Sequence, residues 1–321
     1  MTLPTKQSPP KGNGRAKPPV KPWPAWAKTT ARSAGAVVVL LAVVLLARLL
    51  RVLPGAVDFL TRYPGHSELP ESAPTGLPAW LGWQHFLNAF FMVLIIRTGW
   101  QVRTTARPKA YWTRSNKGLL RTKNPPKKIS LDLWLHQTLD ALWVLNGAVF
   151  MVLLFTTGQW MRIVPTKWDV IPNALSALLQ YASFDWPAED GWVNYNSLQM
   201  LAYFVTVFIA APLAMATGLR MSSAWPENAK RLNRFYRVEM ARAIHFPVMV
   251  YFVLFVVIHV GLVLTTGMLS NLNHMYASRD DATWVGFWIF TASIGAMAAV
   301  WFLARPLFLR PIAALMGKVS R

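Results

Sequence analysis

The stretch that decides the fold is AIHFPVMVYFVLFVVIHVGLVLTTGM, residues 243–268, which has no acidic residue, Lys or Arg. A helix needs about 20 mostly apolar residues to cross a bilayer, because its backbone polar groups must be paired without water. This stretch is therefore predicted to span a membrane. It contains His245 and His259. At about 1.5 Å and about 100° per residue, these lie about 21 Å apart along the helix and about 40° apart around it.

Five further stretches resemble it in length and apolar character. Only 14% of the residues are charged, whereas a soluble domain has about 25%. The six predicted spans are residues 34–53, 79–98, 133–157, 196–219, 243–268 and 284–308. The first could be mistaken for a signal peptide, but 33 residues precede it and no clean small-residue cleavage site follows it, which favours an uncleaved anchor. The sequence thus predicts an all-α integral membrane protein with six spans.

The basic residues predict the orientation. The net charge of +20 is concentrated between apolar blocks, which favours a membrane protein over a nucleic-acid-binding one, and cytoplasmic loops carry excess Lys and Arg. We assign residues 1–33 as a disordered basic cytoplasmic tail, 54–78 as an outer loop and 309–321 as a basic cytoplasmic tail in the plasma membrane. The outer side then holds only six basic residues: Arg48, Arg51, Arg62, Arg162, Lys167 and Arg279.

Histidines are the residues that suggest chemistry. The chain has no cysteine, which excludes disulfides, thiolate-bound zinc, iron–sulfur clusters and covalently attached haem. Four of the six histidines lie within predicted spans: His85, His136, His245 and His259. An ionisable side chain inside a membrane is a functional hypothesis by default. Any one of them alone could equally be a hydrogen-bonded core histidine.

The four histidines form two pairs according to their predicted depth in the membrane. His85 begins the second span on the outer side, level with His259, and His136 begins the third span on the inner side, level with His245. Neutral imidazole is a natural ligand of haem iron, and four-helix bundles build cofactor sites from facing helices. The pattern predicts two b-type haems in a four-helix bundle with one extra helix at each end. A histidine proton relay in a transporter would not require depth-matched pairs.

Three other polar residues are not assigned to a haem site. His66 and His274 fall in outer loops and are predicted to be solvated. Asp140 follows His136 by one helical turn. It is either a hydrogen-bond partner of an imidazole or an ordinary residue near the inner surface.

The four histidines resemble those of the di-haem membrane cytochrome b family. This family includes the gamma subunit of respiratory formate dehydrogenases and the cytochrome b subunit of nickel–iron hydrogenases. The resemblance covers residues 79–268. It implies that His85 and His259 ligate one haem and that His136 and His245 ligate the other, which is also the pairing obtained from depth.

A polar segment at the start of the fourth span extends the resemblance. Tyr195-Asn196-Ser197-Leu198-Gln199 is similar to the Tyr-Asn-x-x-Gln segment beside the family's quinone pocket. The resemblance implies that Asn196, Gln199 and His259 contact a quinone. Alternatively, Asn196 and Gln199 only cap the start of the helix.

The resemblance implies an electron-transfer subunit without catalytic residues of its own. It would pass electrons between a partner oxidoreductase, of dehydrogenase, hydrogenase or molybdoenzyme type, and the quinone pool. The partner is predicted to dock on the basic cytoplasmic face. The spans at 34–53 and 284–308 exceed the four of the gamma subunit, and the first inverts the core relative to that subunit. The alternatives are a self-sufficient transmembrane haem reductase and a haem-free membrane anchor or transporter.

Overall fold

A computed structural model describes residues 24–117, 125–186, 190–226 and 228–321. Most of the predicted basic tail, and part of the basic connection after the second span, lie outside the described residues. The helices are α1 (Ala25–Arg51), α2 (Pro54–Arg62), α3 (Ala79–Thr104), α4 (Leu131–Thr156), α5 (Val170–Ala182), α6 (Ser197–Met221), α7 (Lys230–Phe235), α8 (Val238–Thr265), α9 (Met268–Leu272), α10 (Val285–Leu303) and α11 (Pro306–Ala314).

Six of the described helices are long and apolar enough to cross a membrane: α1, α3, α4, α6, α8 and α10. This confirms the predicted all-α integral membrane fold with six spans. Their apolar side chains are largely exposed on the outside of the bundle. Such exposure suits a lipid environment, where an outward apolar side chain is already in its preferred solvent.

The core of the bundle is built from α3, α4, α6 and α8. Ala210 of α6 packs with Val248 and Phe252 of α8, and side chains of α3 cover this cluster. Polar contacts also join the helices in pairs. The indole Nε1–H of Trp143 on α4 donates to Asn88 Oδ1 on α3 at 3.1 Å.

Helix α6 is interrupted near its middle. A π-helical turn occupies Thr206–Ala210 and ends two residues before Pro212. Proline has no backbone N–H and its ring clashes with the preceding turn, and a single π-turn is one way in which a helix accommodates such a break. The hydroxyls of Thr206 and Tyr251 are 2.7 Å apart and join this turn to α8.

A small antiparallel sheet, which the sequence did not lead us to predict, closes one end of the bundle. Its strands are β1 (Tyr111–Arg114), β2 (Lys128–Ser130) and β3 (Gly317–Ser320), in the order β2–β1–β3. The indole Nε1–H of Trp112 donates to the carbonyl of Ala313 at 3.0 Å. The segment predicted as a C-terminal tail, residues 309–321, is therefore folded against the connection between α3 and α4. We call this end the sheet side.

The opposite end, which we call the loop side, contains residues 63–78, α5, residues 190–196 and α9. The backbone N–H of Gly76 donates to the carbonyl of Trp192 at 2.8 Å and so joins two of these segments. Part of the predicted outer loop is helical, since α2 begins at Pro54. Proline is favoured in the first turn of a helix, where its missing N–H would be unpaired anyway.

Helix α1 begins at Ala25 rather than at residue 34, since residues 25–33 are also helical. Its C-terminal end is fixed on the loop side. Arg48 Nε donates to the carbonyl of Ser183 at 3.0 Å, and Arg51 forms an ion pair with Asp185 at 2.5 Å. Because α1 crosses the membrane, its N-terminal end lies on the sheet side, as does the chain's C-terminus.

Candidate haem-binding site

The four span histidines form two pairs at opposite ends of the bundle. On the loop side, the ring centroids of His85 and His259 are 6.1 Å apart. On the sheet side, those of His136 and His245 are 6.5 Å apart. A metal–imidazole nitrogen bond is about 2 Å long, so two imidazoles on opposite sides of one iron have centroids about 6 Å apart. Both pairs have this spacing.

Each histidine pair offers the ligands that a haem needs from a protein. Within the described part of the chain, no group of three or more His, Cys, Asp or Glu side chains could hold a metal ion. A haem iron needs only two axial ligands from the protein, because the porphyrin supplies the equatorial nitrogens. Each end of the bundle offers one pair of imidazoles and therefore meets this requirement.

Threonine hydroxyls contact the sheet-side pair. Thr98 Oγ1 on α3 lies 2.9 Å from Nδ1 of His136, and Thr217 Oγ1 on α6 lies 2.8 Å from Nδ1 of His245. Asp140 lies on the other side of the His136 ring, with Oδ2 3.6 Å from Nε2. Thr98 is therefore a hydrogen-bond partner of the His136 Nδ1, whereas Asp140 lies on the side of Nε2, where a metal would bind.

Aromatic rings surround the loop-side pair instead. Phe255, one turn before His259, stacks on its ring at 5.6 Å with planes 4° apart, while Tyr276 meets His85 edge-on at 5.6 Å. Tyr276 comes this close because Gly82 lies beneath it: a Cβ on Gly82 would lie 2.5 Å from the carbonyl oxygen of Met275. Burial raises the pKa of Tyr276 above its ordinary value, although a hydrogen bond with Ser293 opposes this shift. Tyr276 is therefore a neutral phenol beside His85 at physiological pH.

The two predicted quinone contacts form a capping box at the start of α6. Asn196 Oδ1 accepts the backbone N–H of Gln199 at 2.9 Å, and Gln199 Oε1 accepts that of Asn196 at 3.2 Å. Such reciprocal bonds satisfy backbone donors that a helix N-terminus leaves unpaired. Asn196 Nδ2 also donates to Tyr181 Oη at 2.8 Å. The capping alternative thus describes the observed local structure of both residues.

A chain of aromatic contacts connects this segment to the loop-side histidines. Tyr195 meets Tyr203 edge-on at 5.1 Å, and Tyr203 meets His259 in the same way at 6.2 Å. Burial raises the pKa of Tyr195, and the neighbouring charge of Arg162 opposes this shift. The polar segment before α6 is therefore in packing contact with the His259 ring through two tyrosines.

Arg162 was not predicted to be a structural or functional residue, yet it is 1% exposed. Its guanidinium donates to the carbonyls of Gly76 and Trp192 at 3.0 Å each and to that of Gly191 at 2.6 Å. It also lies 5.0 Å from the ring centroid of Tyr195. The only signal in the sequence was that Arg162 is one of few basic residues on the predicted outer side.

The prediction for His274 was wrong. His274 is not solvated but only 7% exposed. Its Nε2 lies 2.9 Å from Asp280 Oδ1, and its ring centroid is 5.3 Å from that of Trp192. A π-helical turn at Asn273–Ala277 directs the ring into the loop side. His66 is exposed, as predicted.

Two comparisons with known proteins found a match for this chain. A model of the family described as prokaryotic cytochrome b561 matches residues 76–276, a range that contains all four span histidines. The putative protein-methionine-sulfoxide reductase subunit YedZ1 of Azospira oryzae is 26% identical over 198 residues, which cover 58% of this chain and 88% of that protein. No solved structure matches the chain significantly.

Proposed function

Because the chain belongs to the prokaryotic cytochrome b561 family, we propose that it is a di-haem cytochrome that carries electrons between a partner oxidoreductase and the membrane quinone pool. As a member of this family, the chain is a multi-pass membrane protein that binds b-type haem and transfers electrons. It also confirms the resemblance drawn from the histidines. The number of haems, the quinone and the partner are parts of our proposal.

The observation that carries the proposal is that four histidines form two facing pairs, one at each end of the bundle. His85 and His259 would hold one haem on the loop side, and His136 and His245 would hold the other on the sheet side. When bound, haem supplies one-electron redox chemistry. The chain would supply the imidazole nitrogens that hold the haem, the apolar surroundings and two histidines about 21 Å apart along α8. This arrangement distributes redox centres across the thickness of a membrane.

The proposed partner binds the sheet side, which would face the cytoplasm. Exposed basic residues are numerous there, among them Arg107, Lys109, Lys128, Arg234, Arg237 and Lys318. A basic surface steers an acidic partner towards it and accelerates docking. A relative whose name describes a putative reductase subunit supports the existence of a partner oxidoreductase. The excess of Lys and Arg supports the cytoplasmic orientation.

Haem quantification tests this proposal directly. We expect two haems b per wild-type chain in a reduced-minus-oxidised spectrum calibrated by extraction. Replacing His85, His136, His245 or His259 by Ala should each remove one haem, about half of the pigment, because a bis-imidazole site loses an axial ligand. His66→Ala is the matched control, since His66 is exposed, and should keep both haems. Full pigment in all four span variants would contradict the assignment.

The proposed quinone contacts, Asn196, Gln199 and His259, require a separate test. Asn196→Asp keeps an oxygen that can cap α6, so the helix start should persist, but it removes the amide donor and with it the bond to Tyr181. We expect reduction of the haems by a quinol analogue to slow about tenfold, the effect of losing a hydrogen bond of about 1.4 kcal/mol. Haem content and reduction by dithionite should not change. An unaltered quinol rate would remove Asn196 from the proposed quinone site.

A further inference from the structure

We propose that Thr98 and Thr217 are positioning residues for the sheet-side haem. Each hydroxyl would accept the Nδ1–H of one axial histidine, fix the imidazole tautomer and leave Nε2 to bind iron. The inference deepens the proposed function, because it assumes that His136 and His245 ligate a haem. It concerns two residues that neither the sequence analysis nor the family match singles out.

The direction of the first hydrogen bond follows from the surroundings of Thr98. Its Oγ1 lies 2.8 Å from the carbonyl oxygen of Leu94 and 3.1 Å from that of Ile95. Carbonyl oxygens only accept, and a hydroxyl has one proton, so Thr98 donates to its own helix. The remaining contact, at 2.9 Å from His136 Nδ1, must then have the ring N–H as donor. Nε2 of His136 consequently carries the lone pair.

The same arrangement recurs independently on another pair of helices. Thr217 Oγ1 lies 2.6 Å from the carbonyl oxygen of Leu213 and 3.1 Å from that of Ala214. Its 2.8 Å contact with His245 Nδ1 therefore also has the ring N–H as donor. Thr98 is 0% exposed and Thr217 is 1% exposed, so bulk water does not compete for either bond.

A glycine follows each threonine and leaves room for the imidazole. A Cβ on Gly99 would lie 3.2 Å from Cε1 of His136, and a Cβ on Gly218 would lie 3.7 Å from Cε1 of His245. Each histidine thus rests against a Thr-Gly pair on the neighbouring helix, which combines a hydrogen-bond acceptor with an open backbone surface. The packing and the hydrogen bond together fix the ring orientation.

The loop-side pair provides an internal contrast. The Nδ1 atom of His85 is buried and has no hydrogen-bond partner among the residues that the structure describes. Aromatic contacts to Phe255 and Tyr276 fix that pair instead. The threonine arrangement therefore belongs to one of the two haem sites, and the other serves as a reference within the same molecule.

The hydroxyls should affect the redox potential. A ligating imidazole that donates its second N–H to an acceptor becomes a more basic ligand. A more basic ligand stabilises the oxidised, more positively charged iron and lowers its midpoint potential. Removing the acceptor should therefore raise the midpoint potential of the sheet-side haem and leave that of the loop-side haem in place.

The test is a redox titration of the α-band in Thr98→Val and Thr217→Val. Valine keeps the branched shape and removes the hydroxyl. We expect the midpoint potential assigned to the sheet-side haem, identified by its loss in His136→Ala, to shift upward in both variants. Thr138→Val is the matched control, because the Thr138 hydroxyl lies on the same side of the membrane and bonds the carbonyl of Trp134. It should shift neither potential.

Thr98→Ser restores the hydroxyl and separates its role from that of the methyl group. Wild-type potential in the serine variant supports the proposal, as does retention of a sheet-side haem that Thr98→Val loses. Unchanged potentials in both valine variants would overturn it, and so would an equal shift in Thr138→Val or equal haem loss in Thr98→Val and Thr98→Ser. Fewer than two haems in the wild-type protein would instead refute the proposed function itself.

Discussion

At the scale of single residues, the two glycines beside the sheet-side histidines make different predictions. A Cβ on Gly99 would lie 3.2 Å from His136, tighter than ordinary packing, whereas one on Gly218 would lie 3.7 Å from His245. We expect Gly99→Ala to displace the His136 ring and destabilise the site by about 1 kcal/mol or more. The measurement is haem retention during thermal unfolding in detergent.

Gly218→Ala is the matched substitution. Its methyl group would make an ordinary van der Waals contact, and alanine is the better helix former, so the variant should retain haem like the wild type. If Gly218→Ala lost haem as readily as Gly99→Ala, the spacing at the two glycines would not be what matters.

These residues also show what the sequence could and could not predict. The four span histidines stand out because an imidazole is rare in a membrane. Thr-Gly pairs do not stand out in the sequence, because such pairs also occur where helices end. Gly158 and Gly267 have φ of 75° and 121° and lie just after α4 and α8, where such backbone terminates a helix. Only the folded positions of Gly99 and Gly218 show that these contact histidines.

At the scale of elements, Arg162 holds the loop side together. Its guanidinium donates to four carbonyls, those of Pro74, Gly76, Gly191 and Trp192, which belong to two separate connections. Arg162→Met would remove the side-chain donor of the Gly191 carbonyl and one of the two donors to the carbonyls of Gly76 and Trp192, and a buried carbonyl left unpaired costs about 1–3 kcal/mol. We expect a loss of about 1–3 kcal/mol in stability, measured as a lower midpoint of thermal unfolding in detergent.

Arg62→Met is the control for this prediction, because Arg62 is an exposed arginine on the same side of the membrane. It should unfold at the wild-type temperature. Equal unfolding temperatures for Arg162→Met and the wild type would mean that the carbonyl contacts contribute little. Faster proteolysis of residues 63–78 in Arg162→Met would locate the effect in the loop side.

The elements differ in how far the sequence could predict them. The spans follow from apolar length alone, which is why all six were predicted. The sheet depends on pairing Trp112 with Val319, two residues far apart in the chain, and its strands are too short for an alternating pattern to indicate them. Helix α2 was obscured by the Pro and Gly residues around it, although Pro54 lies at a position where a helix tolerates proline.

At the scale of the whole molecule, contacts between distant segments determine which elements share a side. Strand β3 pairs with β1 and so brings the C-terminus to the end of α3. Arg51 pairs with Asp185 and so brings the end of α1 to the opposite side. These two contacts do not depend on the distribution of basic residues, yet they give the same alternation. The N-terminal end of α1 and the C-terminus therefore lie on the same side of the membrane.

This topology predicts the accessibility of both ends of the chain. With a protease-cleavable tag at either end, we expect protection in intact cells and cleavage in inverted membrane vesicles, because the basic residues retain the sheet side in the cytoplasm. A tag in the connection near Glu68, an exposed residue on the loop side, should behave oppositely and serves as the control. Cleavage of both terminal tags in intact cells would reverse the orientation and move the proposed docking face outward, while leaving the fold intact. Cleavage of only one terminal tag would contradict the position of α1, since the contacts of Arg51 and β3 require both ends on the same side.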